Sequence, residues 1–127
     1  MRHRKVLLVD DDVNLLRGLV RVLHRQPYEL LTARNAEEAM WIFKSQSIDL
    51  VVSDEYMPGM KGTDFLTWVS ENFPGVVRIL LTGQPSVAAA VSAINSGRVY
   101  RFLTKPCSDW DLAMTIQAGL EEPAAVG

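Results

Sequence analysis

Short apolar runs, each followed by a longer amphipathic stretch, alternate five times along the 127 residues, and no other feature narrows the fold so far. Lys5–Val9 (KVLLV) is apolar without alternation, as in a strand covered on both faces. From Val13 to Arg25, residues Leu15, Leu16, Leu19, Val20 and Leu23 recur at helical spacing. Tyr28–Ala33 predicts a second strand. Asn35 is expected to cap a second helix, with Glu38 as its capping-box partner and Ala39, Ile42 and Phe43 facing inward. Asp49–Ser53 predicts a third strand, Thr63 to Phe73 a third helix and Val76–Leu81 a fourth strand. Pro85 opens a helix to about Ser96, where Gly97 stops it. Val99–Thr104 predicts a fifth strand, and Ser108 or Asp109 caps a last helix ending near Leu120. Trp41, Trp68 and Trp110 are expected to pack on helix faces. This order predicts an α/β protein with a parallel sheet.

Composition narrows the function classes. The length suits one domain with a core of its own. Hydrophobic residues at 48% and charged residues at 22% argue against disorder. A net charge of -2 offers no basic surface for a phosphate backbone, so direct nucleic-acid binding is not expected. No apolar run approaches the roughly 20 residues of a membrane span. The basic start, Met1 to Lys5, is followed by too few apolar residues for a secretory signal. One cysteine, Cys107, makes no internal disulfide and fits a reducing interior. The expectation is a soluble, cytoplasmic domain, with a linker-like or frayed stretch at Glu121–Gly127.

In a parallel sheet, ligands bind beyond the carboxyl ends of the strands. The residues there are Asp10, Asp11 and Asp12 after the first run, Asp54 after the third, Thr82 after the fourth and Lys105-Pro106 after the fifth. Asp10, Asp11 and Asp54 brought together repel one another unless a cation joins them, and a hard divalent ion such as Mg²⁺ takes oxygen ligands of this kind. A carboxylate nucleophile, a metal, a lysine and a hydroxyl together suit phosphoryl transfer.

Those residues, read with their neighbours, resemble the receiver domain of bacterial two-component response regulators (the CheY-like superfamily). The resemblance rests on Val9-Asp10-Asp11-Asp12, on Asp54-Glu55-Tyr56-Met57-Pro58-Gly59-Met60-Lys61-Gly62, on Leu81-Thr82-Gly83 and on Phe102-Leu103-Thr104-Lys105-Pro106, in that order after four strands. It implies a (βα)5 flavodoxin-like three-layer sandwich with a five-stranded parallel sheet in order 2-1-3-4-5. The receiver domain would occupy residues 1–121, with 122–127 a tail or the start of a linker to an output domain.

The resemblance also implies roles. Asp54 would accept a phosphoryl group from a sensor histidine kinase, a phosphotransfer protein or a small phosphodonor. Mg²⁺ would be held by Asp11 directly, by Asp10 through water, by Asp54 and by the backbone carbonyl of Tyr56. Thr82 would be the switch hydroxyl, and Lys105 would pair with the phosphoryl group and precede a cis peptide. Phe102 would be the aromatic switch, working by packing alone because it lacks a hydroxyl. Tyr56 and Gln84 would tune dephosphorylation. Phosphorylation would shift the surface made by the helix from Pro85, the fifth strand and the last helix, a candidate homodimer face. The domain would be no enzyme beyond its own phosphorylation and dephosphorylation. The stretch Ala93–Phe102 resembles receivers fused to metal-dependent phosphohydrolase or transcription-activating modules.

Other readings compete. Asp12 suits an N-cap of the first helix. Phe102 suits the core equally well, His3 and His24 the surface, and Cys107 either the rim of the site or an inert packing role. A haloacid-dehalogenase-like phosphatase would use Asp10 as nucleophile and Asp12 as acid/base, but it expects a threonine where Asn14 stands. A degenerate receiver serving as a dimerisation scaffold is a further alternative. No glycine-rich phosphate loop follows any strand.

Overall fold

A computed structural model describes residues 3–83 and 99–121. Its elements are β1 (Arg4–Val9), α1 (Val13–Leu23), β2 (Tyr28–Ala33), α2 (Ala36–Ser45), β3 (Leu50–Ser53), α3 (Gly62–Asn72), β4 (Val77–Thr82), β5 (Arg101–Thr104) and α4 (Asp109–Glu121). The strands form one five-stranded sheet in the order β2-β1-β3-β4-β5, every pairing parallel. That is the expected order. The predicted helix from Pro85 to Ser96, together with Gln84 and Gly97, lies outside the described residues, as does most of the stretch from Ala93.

Continuous apolar strands serve a sheet covered on both sides, because successive side chains point to opposite faces. Leu7, Val9, Val51 and Leu80 meet Phe43 of α2 and Phe65, Leu66 and Val69 of α3. Their neighbours Val6, Leu8, Leu50, Val52, Ile79 and Leu81 meet Leu16, Leu19 and Leu23 of α1 and Leu112, Ile116 and Leu120 of α4. Alternation along each strand thus builds two cores and three layers. Burying the middle of β1, where Val6 and Leu7 are fully enclosed, removes several hundred square ångströms of apolar surface from water at about 25 cal/mol per Å².

The caps are local. Asp12 accepts the Leu15 amide at 3.1 Å, and Asn35 accepts that of Glu38 at 2.8 Å. Ser108, not Asp109, caps α4 by accepting the Asp111 amide at 3.0 Å. Glu38 departs from the expected capping box: its carboxylate takes the Arg34 amide at 3.0 Å and the Arg34 guanidinium at 2.8 Å. The charged guanidinium is the stronger donor, and it draws the carboxylate one residue upstream of the cap.

The tryptophans divide. Trp68 sits among Phe43, Phe65 and Phe73 with ring centroids 5.7–6.2 Å away. Trp41 and Trp110 are 70% and 71% exposed, against the expectation that all three pack on helix faces. Each lies on its helix away from the buried stripe, which Ala36, Ala39 and Phe43 form in α2 and Leu112, Ile116 and Leu120 in α4.

Candidate functional site

Parallel register sets the site. Val9 of β1 is level with Ser53 of β3, so Asp10 and Asp54 leave adjacent strands at the same height. The Asp54 amide donates to Val9 O at 2.9 Å, and the Asp10 amide donates to Ala33 O at 3.1 Å, extending the ladder one step beyond each strand. Thr82 is level with Thr104, and the Lys105 amide donates to Thr82 O at 2.8 Å. Lys105 therefore enters the same end of the sheet from the edge strand.

Asp10 and Asp54 are buried and Asp11 is exposed, yet carboxylate oxygens of all three lie within 4.8 Å of one another. The Lys105 ammonium donates to Asp10 Oδ2 at 2.7 Å and stands 3.5 Å from Asp54 Oδ1. Asp10 Oδ1 accepts the Asp12 amide at 2.9 Å, and Asp54 Oδ1 accepts the Glu55 amide at 2.9 Å. Burial, aided by the charge of Asp10, holds the Asp54 carboxyl above the ordinary aspartate range, against the pull of Lys105. Burial alone would lower the Lys105 ammonium, but the hydrogen bond and charge of Asp10, joined by Asp54, outweigh it and leave the pKa raised.

Three clustered carboxylates, two of them buried, are hard oxygen donors with more negative charge than one ammonium balances. They fit a divalent cation of the Mg²⁺ class. Thr82 is buried at the end of β4, and Tyr56, just past Asp54, is half exposed. Phe102 is partly buried against the core that faces α2 and α3. Gln84 lies outside the described residues. The Lys105-Pro106 peptide is cis. Cys107 lines a groove beside Lys105, Pro106 and Leu15, and burial, with the charges of Asp111 and Asp109, pushes its thiol up, which suits the inert reading. His3 and His24 are exposed.

Asp12, the acid/base of the dehalogenase-like alternative, holds the α1 cap, and the nucleophile of that scheme, Asp10, is hydrogen-bonded through both oxygens. One contributor was not foreseen. The Glu55 carboxylate reaches across the loop to Thr63, accepting its amide at 2.7 Å and its hydroxyl at 3.1 Å. The available signal was Lys61 at the start of α3, a residue without an acceptor where a cap belongs.

Among the described residues no helix is long and apolar enough to cross a membrane. The family model for the response regulator receiver domain matches residues 6–117. The chain is 36% identical over 126 residues to the transcriptional regulatory protein GlrR of Escherichia coli K12, covering 98% of this chain and 28% of GlrR. It spans about a quarter of the length of curated relatives such as GlrR. The receiver domain of an HD domain-containing protein from Pseudomonas fluorescens Pf-5 superposes with a TM-score of 0.88 at 37% identity, over 95% of this chain and 89% of that one. The receiver domain of NtrC4, solved as a beryllofluoride-activated dimer, superposes with a TM-score of 0.86 at 36% identity, over 92% and 96%. With a family model matched along nearly all its length and the matching sheet order beneath it, the chain belongs to the receiver domains of two-component response regulators.

Proposed function

We propose that this domain is a phosphorylation-controlled signalling module of a two-component phosphorelay, with Asp54 as phosphoacceptor. The observation that carries the reading is the meeting of Asp10, Asp11 and Asp54 at one sheet end with the Lys105 ammonium between two of them. An Asp54 carboxylate oxygen attacks the phosphorus of a phosphohistidine on a sensor kinase or phosphotransfer protein, or of a small phosphodonor. The bond from phosphorus to the donor breaks, its electron pair leaves with the donor, and Asp54 becomes an acyl phosphate. Asp10, Asp11, Asp54 and the Tyr56 carbonyl would hold Mg²⁺. Bound there, the ion neutralises charge on the transferring oxygens.

Lys105 supplies the second positive charge, Thr82 the hydroxyl that follows the phosphoryl group, and Phe102 a packing readout of the switch. Tyr56 and Gln84 tune water access and so dephosphorylation. The chemistry is limited to the domain's own phosphorylation and dephosphorylation. Residues 1–121 form the receiver, and 122–127 a tail or the start of a linker. Relatives several times longer than this chain support an output domain on the full-length protein. The NtrC4 receiver, solved as a dimer, supports homodimerisation as such; the face made by the helix predicted from Pro85, β5 and α4 is the surface expected to carry it. The setting is the cytoplasm, without direct nucleic-acid contact by this domain.

Intact-protein mass after incubation with acetyl phosphate tests the reading, with and without Mg²⁺ and with Asp54→Asn as control. One phosphate gained only with Mg²⁺ and only with Asp54 present is the expected result. No gain in a folded, Mg²⁺-binding wild type would favour the scaffold alternative.

A further inference from the structure

The first turn of a helix leaves backbone amides without partners, and the residue before the helix normally supplies an acceptor for the second or third of them. Helix α3 begins with Lys61 in that place, and Lys61 makes no capping hydrogen bond. The acceptor comes instead from eight residues earlier: Glu55 Oε1 takes the Thr63 amide at 2.7 Å while Oε2 takes the Thr63 hydroxyl at 3.1 Å. The backbone repeats the link, since the Gly62 amide donates to Glu55 O at 2.9 Å. The Gly62 Cα also lies so close to the Asp54 carbonyl that a Cβ there would overlap it. On its other side the Glu55 amide donates to Asp54 Oδ1 at 2.9 Å. Glu55 thus joins the Asp54 carboxylate through its amide to the start of α3 through its carbonyl and side chain, closing the loop of residues 55–62 into a ring.

We infer that Glu55 is a positioning residue, a cap supplied from a distance that fixes the loop carrying the Tyr56 carbonyl and so sets how tightly the acidic site holds a divalent cation. The inference rests on the proposed Mg²⁺ site. A loop closed only by the Gly62 amide would leave the Thr63 amide without its acceptor and the Tyr56 carbonyl less restricted. Part of the cation's binding free energy would then go into ordering the loop. Losing one cap hydrogen bond typically corresponds to about a fivefold change in such an equilibrium.

Two measurements on the folded domain test this: the Mg²⁺ dissociation constant by calorimetry, and hydrogen exchange of the Thr63 amide. Glu55→Ala is expected to weaken Mg²⁺ about fivefold and to deprotect the Thr63 amide, with the far-UV circular dichroism unchanged. Glu55→Gln keeps an acceptor and stays within about twofold of wild type. In Glu55→Ala/Lys61→Ser the serine caps from the ordinary position, so Thr63 protection returns while Mg²⁺ affinity, which depends on the tie from residue 55, stays weak. Wild-type affinity in Glu55→Ala, or a double variant whose Mg²⁺ affinity returns together with Thr63 protection, overturns the inference while leaving the Mg²⁺ site standing. A wild-type domain that binds no Mg²⁺ overturns the site itself and the inference with it.

Discussion

The Lys105 ammonium lies 2.7 Å from Asp10 and 3.5 Å from Asp54, so its tighter partner is the carboxylate that follows β1, not the proposed phosphoacceptor. A cation drawn to these carboxylates shares Asp10 with the lysine. Lys105→Ala is therefore expected to lower stability without Mg²⁺ by about 1–2 kcal/mol, less than for a wholly enclosed pair because Lys105 is 27% exposed. It should also bind Mg²⁺ more tightly than wild type while losing its response to phosphorylation. Thermal denaturation of both proteins with and without Mg²⁺ checks this. An equal Mg²⁺ increment in the two would mean that the lysine does not compete.

Burial and the charge of Asp10 raise the Asp54 pKa, so folding favours its protonated form. A raised carboxyl pKa contributes stability that is fully present below the unfolded-state value and is lost as pH climbs through the folded-state value. At neutral pH the charged Asp54 is a strain on the fold, and Asp54→Asn should melt higher than wild type in the absence of Mg²⁺. The difference should shrink as pH falls below the folded-state pKa, where wild type carries its proton. The same proton competes with the metal, so wild-type Mg²⁺ affinity should weaken on acidification before an ordinary aspartate would titrate. An Asp54→Asn variant melting below wild type at neutral pH would contradict the argument.

At the opposite end of the sheet, the Tyr28 hydroxyl is buried with no hydrogen-bond partner among the described residues, and burial pushes its pKa up to about 12. The unfolded chain ionises this phenol near pH 10 while the folded one holds its proton. Stability from this group is intact below about pH 10 and falls as pH rises toward about 12. Tyr28→Phe removes an unsatisfied polar group with little change of shape, and should stabilise by about 1 kcal/mol at neutral pH. It should also flatten the loss of melting temperature between pH 10 and 12. A destabilised Tyr28→Phe would indicate that the hydroxyl is satisfied, for instance by water.

Much of the fold was legible because local patterns and global layers agree. Apolar runs such as Lys5–Val9 need cover on both faces, and α1 with its Leu16, Leu19 and Leu23 supplies part of it. Asp10, Asp54, Thr82 and Lys105 could be picked out because a parallel sheet places strand ends together. The sheet order followed from the family resemblance, as apolar periodicity carries no information about which strands neighbour. What escaped depended on contacts across turns. The reach of Glu55 to Thr63 requires a loop path no periodicity encodes, and the outward Trp41 and Trp110 look like buried aromatics until the helix faces are set. Lys105 could be assigned to the site, but its preference for Asp10 follows from side-chain geometry alone.

Gly62 offers a way to separate the site from the fold. Its missing Cβ leaves room for the Asp54 carbonyl oxygen and for Asp54 C and Glu55 Cα, which a methyl there would meet at 2.8 and 2.9 Å. These are backbone atoms of the strand end and cannot swing aside, so Gly62→Ala must move either α3 or Asp54. It is expected to cost about 1–3 kcal/mol and to reduce labelling of Asp54 by acetyl phosphate as well. At Gly119, in α4, a Cβ would meet Leu50 Cδ1 at 2.7 Å and Val77 Cγ1 at 3.1 Å, side-chain ends far from the acidic cluster. Gly119→Ala should therefore cost stability while labelling per folded molecule stays at the wild-type level. Gly18 faces open space in the middle of α1, and Gly18→Ala should gain about 0.5–1 kcal/mol from helix propensity. Urea denaturation and intact mass on the three variants read both quantities. Equal labelling per folded molecule in Gly62→Ala and Gly119→Ala would show that the contact of Gly62 with Asp54 serves the fold alone.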